Sequence, residues 1–150
     1  MTIEKDIKQP KFRNEHQKAG INLIYTYNWM NEQLKKILDQ YDITSQQFNI
    51  LRILRGAHGA LSTLQIRERM LDRMSDTSRI VDRVIKKGLA KKNTCKTDRR
   101  LVDVVITNKG KKLLEKLDGC SSEMDAVLKN LSTTDAKNLN GLLDRIRNGA

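Results

Sequence analysis

The sequence predicts a mainly α-helical fold with one small β-hairpin, and two observations lead to this prediction. Apolar residues recur at spacings of three and four along most of the chain, which is the repeat of a helix with one buried face. Only residues 89–107 contain two short runs that suit strands, the second strongly β-branched, around a polar turn. Because the 150 residues include a single proline, with 38% hydrophobic and 31% charged residues, we expect one helix-rich domain spanning residues 1–150.

The positive charge of the chain is concentrated in one segment. Residues 62–112 contain 15 Lys and Arg against 6 Asp and Glu, so they carry most of the formal net charge of +11. Charge that served solubility alone could be spread over the whole surface. Its concentration therefore indicates a polyanionic partner that binds at one place.

Two short helical patterns separated by a tight turn at residues 70–72 lie within this basic segment. Ser62 and Gln65 form a capping box that opens the first helix. The second helix ends at Gly88, and Asp72 is its expected N-cap, with Ser75 as the alternative. The helical repeat gives the second helix an apolar and a polar face. The apolar face holds Met74, Thr77, Ile80, Val81, Val84 and Ile85, and the polar face holds Ser75, Arg79, Asp82, Arg83 and Lys86.

The two helices are followed by a hairpin with a basic tip. Residues 89–93 and 101–107 suit two strands, and the polar tip at residues 94–100 carries three basic side chains. Two helices joined by a short turn and followed by a basic hairpin, or wing, make a winged helix-turn-helix. We therefore predict a winged-helix DNA-binding region at residues 44–107.

Long helical patterns flank this region on both sides. A continuous apolar stripe predicts a helix over residues 12–41, preceded by an irregular, polar N-terminal segment at residues 1–11. Thr44 with Gln47 caps the next helix, which ends near Gly56. After the hairpin, Thr107 is expected to cap a helix running to about residue 130, and Ser132 a last helix. These flanking helices have apolar faces but no separate domain to pack around, so a second chain is expected to cover them. Residues 12–41 and 107–147 are therefore predicted to be dimerisation helices.

Three motifs together resemble the MarR family of bacterial winged helix-turn-helix transcription regulators. They are Ser-Arg-Ile-Val-Asp-Arg at 78–83, Lys-Lys-Gly-Leu at 86–89 and Asp-Arg-Arg at 98–100. The resemblance covers about residues 44–112 and implies a homodimer whose recognition helices enter successive major grooves of double-stranded DNA. It also implies that Arg100 enters a minor groove and that Asp98 orients it.

The candidate DNA-contacting residues lie on the second helix, on the helix before it and at the wing tip. An arginine can pair with guanine in the major groove or bind a phosphate. The alternatives are solvated surface charge, ion pairs with Asp76 or Asp82, and helix capping. Lys91, Lys92 and Lys96 are expected to face phosphates. The candidates are Arg67, Ser75, Asp76, Ser78, Arg79, Arg83, Lys96, Asp98, Arg99 and Arg100.

The MarR resemblance also implies a site for a small aromatic effector, where the first helices meet the DNA-binding region. Tyr25, Trp29 and Phe48 are the candidate ligand-binding residues, and the alternative is that they belong to the core and the dimer interface. Cys120 follows an apolar stripe and is expected in the core. Cys95 lies in the wing, either as an incidental surface residue or as a redox-sensitive thiol.

The sequence thus predicts a sequence-specific DNA-binding transcription regulator: a homodimeric repressor of a palindromic operator, released by a small effector. The alternative is an architectural protein that binds DNA or RNA without sequence preference. No nucleophile–base pair or phosphate-binding loop suggests an enzyme or a cofactor, and His16 and His58 have no metal-ligand cluster around them. The sequence contains no apolar run long enough to cross a bilayer and no signal core, so we expect a cytoplasmic protein without a membrane partner.

Overall fold

A computed structural model describes residues 2–94 and 102–149 as eight α-helices around a small antiparallel sheet. The helices are α1 (Ile3–Asp6), α2 (Glu15–Leu38), α3 (Ser45–Gly56), α4 (Thr63–Arg69), α5 (Thr77–Lys86), α6 (Asn108–Asp118), α7 (Ser121–Asp125) and α8 (Thr133–Asn148). The strands are β1 (Leu61–Ser62), β2 (Ala90–Thr94) and β3 (Val102–Ile106), and short 3₁₀ turns follow α2 and α7. The predicted mainly helical winged fold is confirmed. None of the described helices is both long enough and apolar enough to span a membrane.

Most residues of the hydrophobic core lie between positions 43 and 104 of the chain. Ile50 on α3, Ile66 on α4, Val84 on α5 and Val104 on β3 are completely buried. Val104 sits on the central strand, because the sheet order is β1-β3-β2 and both pairs are antiparallel. The sheet and helices α3 to α6, with Leu38 at the end of α2, therefore enclose one apolar centre that fixes the position of α5.

Local capping signals located most helix starts correctly. Side-chain oxygens of the predicted N-caps accept hydrogen bonds from backbone amides three residues later. Gly88 ends the helix before the hairpin with φ of +73°, a conformation that glycine adopts without steric cost. The hydrogen-bonded pairs are Thr44 with Gln47, Ser62 with Gln65, Thr107 with Gly110 and Ser132 with Asp135.

The N-terminal segment is more ordered than predicted. Residues Ile3–Asp6 form α1, and Ile3 is buried. Glu4 forms an ion pair with Lys18 on α2 at 2.5 Å, and this contact holds the short helix against the long one. The prediction of an irregular segment over residues 1–11 was therefore wrong for residues 3–6. The ion-pair partner of Glu4 lies fourteen residues further along the chain, so the local sequence does not show this contact.

The predicted single helix from Thr107 to about residue 130 is interrupted. Helix α6 ends at Asp118, where tight hydrogen bonds run from the Gly119 amide to Lys116 and from the Cys120 amide to Leu117. A new helix begins at Ser121. Cys120 lies at this break and is only partly buried, with its sulfur 3.3 Å from the Tyr41 hydroxyl, so the prediction that it belongs to the core was wrong.

Candidate nucleic-acid interface

Helix α5 begins four residues later than the preferred prediction. Asp76 is its N-cap, and the Asp76 carboxylate accepts a hydrogen bond from the Arg79 amide at 3.2 Å. Met74, predicted to face inward, is 94% exposed, whereas Thr77 is only 4% exposed, as predicted. Neither Asp72 nor the alternative Ser75 caps the helix.

The residues before α5 form a separate turn with its own hydrogen bonds. The Asp72 carboxylate accepts from the Met74 amide at 3.0 Å and from Gln46 on α3 at 3.2 Å. The Ser75 hydroxyl donates to the Asp72 carbonyl at 2.7 Å. The connection between α4 and α5 therefore runs from Met70 to Asp76 and is longer than the predicted turn at 70–72.

Helix α5 has one buried face and one exposed face. The buried face packs against α3 and α4 and the exposed face points into solvent, so the predicted division is confirmed from Thr77 onward. The buried residues are Thr77, Ile80, Val81 and Val84, and the exposed residues are Ser78, Arg79, Asp82, Arg83 and Lys86.

The ion pairs on this exposed face are few and weak. Arg79 lies 3.7 Å from the Asp76 carboxylate, and both side chains are more than 60% exposed. Such a pair contributes at most about 1 kcal/mol in water, so a phosphate or a base edge could replace it. Asp82 pairs with Lys92 on β2 at 3.1 Å. Within the described residues, Arg83 has no carboxylate partner within ion-pair distance.

The remaining candidates on the helices differ in how free their side chains are. Arg67 on α4 and Ser78 on α5 are exposed. The Ser75 hydroxyl is engaged with Asp72, and Asp76 serves as the N-cap of α5. The structure thus gathers Ser78, Arg79 and Arg83 on one open surface.

The wing is described only at its base. Strands β2 and β3 pair from Ala90 with Ile106 to Thr94 with Val102. Lys91 and Lys92 on β2 are exposed. The predicted contacts Lys96, Asp98, Arg99 and Arg100, together with Cys95, lie outside the described residues.

Sequence reasoning missed the residues that hold the connection between α4 and α5. Asn49 on α3 accepts a hydrogen bond from the Leu71 amide at 2.9 Å, in addition to the bond from Gln46 to Asp72. Gln46 and Asn49 are three residues apart, which places them on one face of α3. That spacing of two polar side chains was the available signal. Strand β1 was also missed, because only Leu61 and Ser62 form it.

The three candidate effector residues are not brought together. Phe48 lines a cavity of about 650 Å³ between α2, α3 and the connection before α5, where Tyr27 and Leu34 join it. Trp29 lines a different cavity of about 460 Å³, between α2 and residues 123–130. Tyr25 is 41% exposed and lines neither cavity.

An ion pair connects the end of α3 to the end of α6. Two nitrogens of Arg55 donate to the two carboxylate oxygens of Asp118 at 2.7 and 3.0 Å. These bonds lower the pKa of Asp118 and raise that of Arg55. Among residues 2–94 and 102–149, no group of three or more metal-ligand side chains is placed to hold a metal ion.

No family model matches the chain. The structure is similar to the crystal structure of a MarR transcription factor from Planctomyces limnophilus. The two are 31% identical, the alignment covers 89% of this chain and 98% of that one, and the TM-score is 0.68. The chain belongs to the MarR family of transcription regulators. In this MarR-family chain, α4 and α5 form the helix-turn-helix, and β2 and β3 form the strands of the wing.

Two further structures share the MarR fold. A MarR variant from E. coli, complexed with operator DNA, is 22% identical, covers 91% of this chain and 98% of its own, and has a TM-score of 0.81. BpsR from Bordetella bronchiseptica, whose DNA binding is regulated by 6-hydroxynicotinic acid, is 20% identical, covers 87% and 98%, and has a TM-score of 0.77.

Proposed function

We propose that this MarR-family chain is a homodimeric repressor that binds a palindromic operator and leaves it when a small effector binds. The observation that carries the proposal is the exposed face of α5, where Arg79 and Arg83 point away from a fully packed core. An α-helix fits the major groove of B-DNA, and arginine can pair with guanine O6 and N7 there.

Each proposed contact is supported either by the position of a described side chain or, at the wing, by the family resemblance. Ser78, Arg79 and Arg83 would meet base edges or phosphates in the major groove. Arg67, Ser75 and Asp76 lie at or before the start of α5 and would position the helix on the backbone. Lys96, Arg99 and Arg100, with Asp98 orienting Arg100, would bind at the wing, where the family resemblance implies a minor-groove contact.

The dimer is supported by apolar surface that the single chain leaves uncovered. None of the residues of α8 is buried, although the helix carries apolar residues at helical spacing. Covering such surface is favourable by about 25 cal/mol per Å². We therefore assign residues 12–41 and 107–147 to dimerisation and 44–107 to DNA binding. The exposed apolar residues in the two flanking regions are Leu23, Ile24, Tyr25, Tyr27, Trp29, Leu128, Leu131, Leu142 and Ile146.

A two-fold dimer determines the form of the DNA site. Its two copies of α5 run in opposite directions, so the half-sites must form an inverted repeat. Their centres must lie one helical turn, about 34–36 Å, apart. An effector that changes the distance between the two helices would prevent both from staying in the groove.

The cavity beside Phe48 is the proposed effector site. It adjoins the connection before α5, which Gln46 and Asn49 hold in place. The Arg52 guanidinium lies 5.6 Å from the centre of the Phe48 ring, so an aromatic molecule with a negative group would find both a ring and a charge there. The regulation of BpsR by 6-hydroxynicotinic acid supports this class of ligand. Tyr25 and Trp29 belong to the proposed dimer surface.

Selection of DNA sites from a random pool, followed by competition against bulk DNA at a stated salt concentration, tests the proposal. A sequence-specific regulator should bind the selected inverted repeat at least about a thousandfold more tightly than bulk DNA. Equal affinity for both would favour the alternative, an architectural DNA- or RNA-binding protein.

Arg100→Ala should weaken binding to the selected site by about 1–3 kcal/mol while the helix content stays the same.

A further inference from the structure

A third cavity, lined mainly by lysines, lies at the end of α5. It has a volume of about 690 Å³, within the range of small-molecule sites. Its walls come from the turn after α2, the residues at the end of α5 and one side of α6 from Lys109 to Lys116. Its basic lining residues are Lys86, Lys87, Lys109, Lys112 and Lys116.

The lysines outnumber the negative groups of the cavity by five to one. Asp42 is the one carboxylate among the described residues of the lining, and it lies 3.6 Å from Lys87. Among the described residues, the other four lysines have no carboxylate within ion-pair distance. The cavity therefore collects five lysines around a single carboxylate among the residues that the structure describes.

The basic residues of α6 are arranged unfavourably when no anion is bound. Lys109, Lys112 and Lys116 are spaced three and four residues apart, so they share one side of the helix, where like charges repel. The first turn of α6 also has no acidic residue, although the N-terminal end of a helix favours negative charge. A bound anion would reduce the repulsion between these lysines and would place negative charge near the N-terminal end of α6.

Two of the lysines are held in place by backbone carbonyls. Lys109 donates to the Lys87 carbonyl at 2.8 Å, and Lys87 donates to the Asp42 carbonyl and, at 3.3 Å, to Gln47. The start of α6 is itself fixed, because a Cβ on Gly110 would lie 2.2 Å from the Leu89 carbonyl oxygen. The cavity therefore presents ammonium groups from elements whose relative positions are set by the fold.

We propose that this cavity binds a small anion with two or more linked phosphate groups. Lysine ammonium groups bind phosphate as compact charges, and several of them around one cavity suit several negative charges close together. Of the five lysines, only Lys86 lies on the exposed face of α5 that carries Arg79 and Arg83 and is proposed to meet DNA. Lys87 points toward Gln47, which is buried, and the other three lysines lie on α6. A free phosphate compound therefore fits the site better than the DNA backbone does.

Calorimetric titration of the DNA-free protein with inorganic tripolyphosphate, and separately with ATP, tests this inference at physiological ionic strength. We expect saturable binding of tripolyphosphate. Tighter binding of ATP would identify a nucleotide as the source of the phosphates, and equal binding would identify the phosphate chain alone. Lys112→Gln or Lys116→Gln should weaken binding about tenfold, as loss of a charged hydrogen bond would.

Lys111→Gln is the matched control, because Lys111 is exposed on the same helix and does not line the cavity. It should change the affinity by less than about twofold, since exposed charges outside the site are screened by salt. Tripolyphosphate should also raise the melting temperature of the wild type more than that of Lys112→Gln.

The inference is overturned if tripolyphosphate shows no saturable binding or if all three variants lose affinity equally. It is also overturned if Lys112→Gln and Lys116→Gln weaken only DNA binding. Because the titration contains no DNA, its failure would leave the proposed repressor function untouched.

Discussion

Arg83 is the side chain whose surroundings favour a DNA contact most clearly. It is exposed on α5 and has no acidic partner within the described residues, whereas Arg79 is beside Asp76. We predict that Arg83→Ala weakens binding to the selected operator by about 1–3 kcal/mol, because one arginine contact to a base or phosphate is lost. Fluorescence anisotropy with labelled operator measures the change.

Arg13→Ala is the control for Arg83→Ala. Arg13 is exposed and lies outside the proposed DNA-binding region, so its replacement removes the same charge without removing a contact at α5. Unchanged operator affinity in Arg83→Ala, or an equal loss in both variants, would contradict the assigned role.

The ion pair between Glu4 and Lys18 makes the attachment of α1 dependent on pH. The hydrogen bond from Lys18 lowers the pKa of Glu4 from its ordinary 4.5 to about 2. Because the folded pKa is the lower one, the pair stabilises the fold above pH 4.5 and its contribution is lost as the pH falls from 4.5 toward 2.

An NMR titration of the Glu4 carboxyl carbon should therefore show a midpoint near 2 in the wild type. In Lys18→Gln the midpoint should move up toward 4.5, since the principal hydrogen bond is gone. A wild-type midpoint already at 4.5 would show that α1 is not held by this pair.

Helix α5 offers a direct test of which residue begins it. Asp76→Ala removes the side-chain oxygen that accepts from the Arg79 amide and should destabilise the protein by about 0.5–2 kcal/mol. Asp76→Asn keeps an oxygen acceptor and should cost much less. Hydrogen exchange of the Arg79 amide should accelerate in Asp76→Ala alone. Similar exchange rates in both variants would mean that Asp76 is not the cap.

The elements that the sequence predicted well are those set by neighbouring residues. Capping at Thr44, Ser62, Thr107 and Ser132 depends on residues three positions away, and each was correct. The start of α5 was not determined locally, because residues 72, 75 and 76 are all good N-caps. The bond from Gln46 on α3 assigns Asp72 to the preceding turn, and that contact is not visible as a local pattern.

Local sequence patterns did not reveal the break between α6 and α7, nor that the candidate effector residues lie apart in the fold. Apolar spacing continues through Cys120, so periodicity alone does not show the break at Gly119. Tyr25, Trp29 and Phe48 could be recognised from the sequence as aromatic residues of two helices before the helix-turn-helix. Whether each one lines a cavity depends on how α2 packs against α3 and residues 123–130, which only the fold determines.

For the molecule as a whole, the uncovered apolar surfaces of α2 and α8 predict a dimer. Ile24 is 65% exposed and Ile146 is 61% exposed. We expect Ile24→Glu combined with Ile146→Glu to give a monomer, because burying two carboxylates in an apolar interface is unfavourable. Sedimentation velocity measures the mass in solution.

Leu64→Glu is the control for this double variant. Leu64 is 62% exposed on α4, outside both proposed dimerisation regions, so the variant should remain dimeric. A wild-type protein that sediments as a monomer would refute the dimer.

The most direct test of two chains bound to adjacent turns of one duplex is the dependence of affinity on half-site spacing. Inserting about five base pairs between the half-sites of the selected operator turns one half-site to the opposite side of the DNA. The two copies of α5 could then no longer bind together, and we predict an affinity loss of about a hundredfold or more. An operator with the insertion that binds as tightly as the original would contradict the account.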